Sequence, residues 1–194
     1  MTEVDPLAVV ARLGRALDQL GVPWFLGGSL ASSLQGEPRA TNDIDLVADL
    51  EAGSAGRLGG LLGPDFLVDD EDLAEAVRDR RATQLFFQPW VTKIDLFVAR
   101  PAPFDRSELD RRRRVEVAPG VSIWIKSPED SVLRKLAWYR SGGEVSQRQW
   151  KDVVEILRLS GPSLDTGYLD TWAASLGVDG LLARARADAL APRA

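Results

Sequence analysis

The stretch Phe25-Leu26-Gly27-Gly28-Ser29-Leu30-Ala31, followed after a polar loop by Asp43-Ile44-Asp45-Leu46, decides the fold. The apolar run 22–26 reads as a buried strand and the glycine pair as a tight turn. A short helix over 30–35, a loop over 36–42 and a second strand over 44–48 follow. Residues two apart in a strand point the same way, so Asp43 and Asp45 project together. A glycine pair alone marks only a turn, and Asp-x-Asp alone only a solvated strand. Joined through one short helix, they describe backbone N–H groups open to a phosphate chain, with Ser29 as a further donor, facing two carboxylates able to hold a divalent metal.

Outward from this stretch, Asp5-Pro6 is an N-cap followed by proline at the first helical position. Leu7, Val10, Leu13, Leu17 and Leu20 then recur at helical spacing until Gly21. On the other side, 51–62 and 70–80 read as helices, and 83–88 and 91–99 as strands around Gln88-Pro89-Trp90. Along the second of these strands Lys93, Asp95 and Phe97 share one face, and Ile94, Leu96 and Val98 the other. Residues 115–117 and 121–125 flank Ala118-Pro119-Gly120 as a hairpin. From Ser127-Pro128-Glu129 onward the pattern is helical, with two helices carrying Val132, Leu133, Leu136 and then Trp150, Val153, Val154, Leu157, and two more over 164–176 and 178–190. The expected class is α/β (α+β), a mixed β-sheet flanked by helices in residues 1–126 and a helical bundle in 127–194.

The chain has 194 residues, 45% hydrophobic and 27% charged, which suits one well-buried core or a main domain with a helical appendage. No apolar run reaches the ~20 residues needed to span a bilayer, and the start, Met1 to Leu7, lacks a signal-peptide pattern, so the expected location is the cytoplasm, with no membrane partner. The chain has no cysteine and no histidine, which excludes disulfides, Ser-His and Cys-His catalysis and most zinc chemistry. Carboxylates, lysines and arginines remain as the chemical groups. The net charge of −5 means that a polyanion must bind a local patch rather than the whole molecule.

The Gly27-Gly28-Ser29 turn, the Asp43-x-Asp45 pair and Asp95 in Thr92-Lys93-Ile94-Asp95-Leu96-Phe97 together resemble the DNA polymerase β nucleotidyltransferase superfamily. Within it, Gly27 to Ala31, Gly36, Pro38-Arg39-Ala40-Thr41 and Asp43 to Leu46 look like the bacterial minimal nucleotidyltransferases, including AbiEii-type toxins. The likeness spans most of residues 22–160 and is specific around the first two motifs; where related sequences often carry histidine before the glycine that is Gly36 here, this chain has Gln35. The resemblance implies a nucleotidyltransferase fold and transfer of a nucleoside monophosphate from an NTP, such as ATP, to an acceptor hydroxyl, with release of pyrophosphate. It implies two Mg²⁺ ions, with Mn²⁺ as a substitute, held by Asp43, Asp45 and Asp95, with Asp95 as the base, and Gly27, Gly28 and Ser29 on the phosphates. Lys135 and Asp152 are implied at the triphosphate, and a small cognate partner protein in a toxin–antitoxin setting.

Several readings stay open. Arg39 and Thr41 either reach phosphate or anchor the loop. Arg111 to Arg114, near Trp124, either contact an RNA backbone or form a solvated face offset by Glu108, Asp110 and Glu116. Asp69 to Asp72 either line an acidic groove for a cationic drug or favour a helix N-terminus. Trp138, Trp150 and Trp172 read as core. The acceptor is a tRNA 3′ end, a protein tyrosine or serine, or an antibiotic hydroxyl; a non-catalytic partner-binding module with the same fold is the remaining alternative.

Overall fold

The alternation of apolar residues through 44–48 and 92–98 becomes two adjacent parallel strands. They lie in a seven-stranded mixed sheet seen in a computed structural model that describes residues 5–37, 41 and 43–192. The elements are α1 (Pro6–Gln19), β1 (Trp24–Leu26), α2 (Gly28–Gln35), β2 (Ile44–Ala48), α3 (Ala52–Leu62), β3 (Phe66–Leu67), α4 (Asp70–Asp79), β4 (Ala82–Phe87), β5 (Thr92–Val98), α5 (Pro103–Asp110), β6 (Arg113–Ala118), β7 (Val121–Ile125), α6 (Pro128–Ser141), α7 (Gln147–Ser160), α8 (Thr166–Leu176) and α9 (Asp179–Leu190). The strand order is β3-β4-β5-β2-β1-β7-β6. Only β2–β5 and β1–β7 pair in parallel; the other neighbours run antiparallel.

The chain divides into two compact units, residues 1–30 with 40–126, and residues 31–39 with 127–194. The second unit resumes at Ser127 and also takes in residues 31–39.

In the first unit, Asp5 caps α1 through a hydrogen bond from the Leu7 N–H, and Pro6 opens the helix. The helix buries Val10, Leu13 and Leu17, and packs on β1, β2 and β7. A side chain at Gly14 would overlap the Trp24 ring, so this glycine lets helix and strand approach closely. On β2 and β5 the buried residues are Ile44, Leu46, Ala48 and Ile94, Leu96, Val98, whereas Asp45, Val47, Lys93, Asp95 and Phe97 on the opposite sheet face are half-buried. That second face is partly covered by α5, whose Leu109 joins Phe25 and Ala99 in a cluster flanked by Val47 and Trp124.

The acidic run 69–72 is used locally. Asp69 caps α4 through the Glu71 and Asp72 N–H groups, and Asp72 pairs with Arg81 at 2.6 Å and accepts a bond from the Thr83 hydroxyl. These contacts draw the Asp72 carboxyl below its ordinary value, the bonds from Arg81 and then Thr83 outweighing partial burial.

The second unit is helical throughout its described residues. Ser127 caps α6 and its hydroxyl donates to the buried Asp130 carboxylate at 2.6 Å, which also accepts from the Tyr168 hydroxyl at 2.5 Å. Glu129, equally buried, accepts from the Asp165 N–H. Leu133, Leu136, Val153, Ile156, Leu169 and Leu182 form the apolar interior of these helices. Trp138 departs from the expected pattern: it is 43% exposed rather than core, while Tyr139 turns inward against Trp150.

Candidate nucleotide and metal site

Gly27 ends β1 and its N–H donates to the Asp45 carbonyl at 2.8 Å, which continues the antiparallel pairing of Leu26 with Leu46 by one step. Gly28 follows with φ +58°, a left-handed conformation that favours glycine, and is the first residue of α2 rather than part of a separate turn. A Cβ on Gly28 would overlap the Asp45 carboxylate. The carboxylate thus rests directly against the backbone that opens the helix, with Gly28 and Ser29 half-buried beside it.

Across the sheet, Asp45 is the register partner of Asp95, and Ile44 that of Ile94, in the parallel β2–β5 pair. Asp45 and Asp95 therefore stand side by side on the half-covered face. Asp43 lies one residue before β2, exposed, and its N–H donates to the Thr41 hydroxyl at 3.3 Å. Thr41 thus anchors the approach to the strand. Arg39 lies outside the described residues.

Lys93, two positions before Asp95 on β5, donates to the Asp95 carboxylate at 2.7 Å. Its pKa is raised, first by this hydrogen bond; partial burial opposes the rise, and the charges of Asp95, Asp43 and Asp45 add to it. One ammonium thus feels all three carboxylates singled out by the sequence. The sequence placed Lys93 on the same face as Asp95 but assigned it no role, since a lysine at i−2 in a strand is most often a solvated neighbour.

Among the described residues no three acidic side chains are drawn together tightly enough to hold a metal ion as they stand. The donor set nevertheless fits a hard divalent cation: carboxylates in register on adjacent strands, a glycine backbone that leaves room against one of them, and a positive charge already attracted to the cluster.

A buried ion pair supports the glycine turn. Lys126, just after β7, pairs with Glu108 of α5 at 3.0 Å, the side chains being 6% and 4% exposed. The Lys126 N–H donates to the Leu26 carbonyl, its ammonium lies over the Phe25 ring at 5.2 Å, and its stem lies against Gly27. This pair was missed from sequence, because α5 carries few periodic apolar residues.

Lys135 and Asp152 meet in the second unit, Nζ to carboxylate at 2.9 Å, with side chains 7% and 12% exposed. The run 111–114 is partly stacked: the Arg112 and Arg114 guanidinium groups lie over Trp124 at 4.7 and 5.7 Å.

No protein-family model matches the chain, and no characterised protein matches it by sequence. Solved structures do. An antigenic nucleotidyltransferase-like protein from Paracoccidioides brasiliensis superposes with a TM-score of 0.52 at 18% identity, covering 94% of this chain and 92% of its own. ANT(2'')-Ia in complex with adenylyl-2''-tobramycin gives a TM-score of 0.54 at 17% identity, with coverages of 88% and 96%. The chain has the nucleotidyltransferase fold. No helix among the described residues is long and apolar enough to cross a membrane.

Proposed function

We propose that the chain is a cytoplasmic, metal-dependent nucleotidyltransferase that moves a nucleoside monophosphate from an NTP to a hydroxyl of tRNA or of a protein. The observation that carries this reading is the register of Asp45 with Asp95, with the Gly28 backbone set against the Asp45 carboxylate. A nucleotidyl transfer needs carboxylates for divalent metal beside N–H groups for the phosphate chain, and Asp45 lies against the backbone that opens α2.

Asp43, Asp45 and Asp95 would hold magnesium. When bound, the metal supplies Lewis-acid stabilisation of the charge on the phosphoryl and leaving oxygens. Gly28 and Ser29, at the start of α2, orient the β- and γ-phosphates. Asp95 accepts the proton of the acceptor hydroxyl as that oxygen bonds to the α-phosphorus. The bond from the α-phosphorus to the bridging oxygen breaks, and pyrophosphate leaves. The Lys135–Asp152 pair is assigned to the nucleotide by the resemblance described above, as is a small cognate protein partner; Arg39 is proposed as a phosphate contact, and Thr41 as an anchor of the loop that carries it. In the acidic run 69–72, Asp69 caps α4 and Asp72 pairs with Arg81, while Asp70 and Glu71 are exposed; an antibiotic hydroxyl stays the alternative acceptor.

The test is calorimetric titration of the protein with ATP in the presence and absence of Mg²⁺. Asp43→Asn with Asp45→Asn is expected to abolish the metal-dependent part of binding; unchanged affinity would remove the basis of the proposal.

A further inference from the structure

Resting on that reading of the site, we infer that Lys93 is its built-in counter-cation: the ammonium pairs with Asp95 in the metal-free protein and must leave it before a divalent ion can be held there. Three observations converge. The β2–β5 register sets Asp45 opposite Asp95, and Lys93 lies two positions before Asp95 on the same face of β5. The Lys93 ammonium is bound to Asp95 Oδ2 at 2.7 Å, occupying an oxygen that a metal would need. Finally, the side chain of Lys93 is 41% exposed, and that of Asp95 21%, so the lysine has open solvent into which it can swing while the carboxylate stays on the sheet.

Asp45 and Asp95 stand in register on adjacent strands, and like charges so placed are eased by a neighbouring positive charge. A lysine supplies it reversibly, because its long stem is flexible and its ammonium is a compact charge that a divalent cation can displace. Metal and lysine therefore compete for Asp95. Lys93 is thus a positioning residue, acting through Asp95 rather than on the substrate.

The experiment measures Mn²⁺ binding to the full chain without nucleotide, by electron paramagnetic resonance of the free ion, for the natural protein, Lys93→Met and Lys93→Arg. The metal-free melting temperature of each is recorded in EDTA. Lys93→Met is expected to bind Mn²⁺ about two- to fivefold more tightly, the scale of one partly exposed ion pair. It should also melt lower in EDTA and gain more from Mn²⁺ than the natural protein. Lys93→Arg, which keeps the charge, should retain the weaker natural affinity. If Lys93→Met binds Mn²⁺ as the natural protein does, or more weakly, the lysine does not compete and the inference fails, with the metal site intact. If neither binds Mn²⁺, the metal site itself fails and the inference falls with it.

Discussion

At Gly28 the backbone conformation and the site are one feature. Its φ of +58° would cost an ordinary residue about 1–2 kcal/mol, and a methyl group there would push the Asp45 carboxylate aside. Gly21, at φ +69° with nothing within 4 Å of a built Cβ, carries the strain without the collision. Gly28→Ala is therefore expected to weaken Mg²⁺–ATP binding at least tenfold, whereas Gly21→Ala lowers stability by a similar backbone amount and leaves binding alone; calorimetry and thermal melts on the two variants separate these effects. Equal loss of binding in both would show that the Asp45 contact is not what matters. The facing of Asp45 and Asp95 could be read from sequence because strands repeat every two residues, so a face can be assigned without knowing the partner strand; Asp43 lies before β2, where that period does not apply. The role of Lys93 could not, since sharing a strand face with Asp95 does not say whether the long side chain turns to that carboxylate or to solvent.

Among the elements, those with strong periodicity or explicit caps were legible: α1 through Asp5-Pro6, β2 and β5 through alternation, α6 through Ser127-Pro128. Two were not. The strand β3 has two residues, too few to show any alternation, and exists because Phe66 and Leu67 pair with Phe87 and Phe86. Helix α5 buries Phe104, Glu108 and Leu109, and a buried glutamate breaks the apolar pattern that would have announced the helix. That glutamate is explained by Lys126, with which it forms the nearly solvent-free pair beside the glycine turn. Removing one member strands the other charge, so Glu108→Gln is expected to cost about 3–5 kcal/mol in urea unfolding. Glu108→Leu with Lys126→Met should recover most of that loss; a loss below about 1 kcal/mol would mean that water reaches the pair. On α4, the depressed carboxyl of Asp72 adds stability that is complete above the ordinary carboxylate pKa near 4 and fades as pH falls below it. Hence Asp72→Asn should melt lower than the natural protein at pH 7, with the gap closing toward pH 2; a gap that stays constant with pH would remove the charge as its cause.

For the whole molecule, the grouping of residues 31–39 with 127–194 is the feature least visible in the sequence, because it joins segments about ninety residues apart. Its physical basis is local: a Cβ on Gly36 would sit 3.5 Å from Ile156 Cγ1 and 3.7 Å from Glu155 Cβ, and Glu37 pairs with Lys151 at 2.8 Å. A chain ending at Lys126 would leave the C-terminal half of α2 without these partners. Amide hydrogen exchange is expected to report loss of protection at 31–37 in such a chain, and full retention would show that α2 is held by the first unit alone. The chemistry proposed for the molecule makes a sharper demand, because nucleotidyl and phosphoryl transfer leave different parts of the NTP on the acceptor. The direct test is to incubate the protein with Mg²⁺, total tRNA and cell protein, supplying NTP labelled at either the α- or the γ-phosphorus. The account predicts acceptor-bound label from the α-position only, lost in Asp45→Asn; label from the γ-position, or none with any NTP, would contradict it.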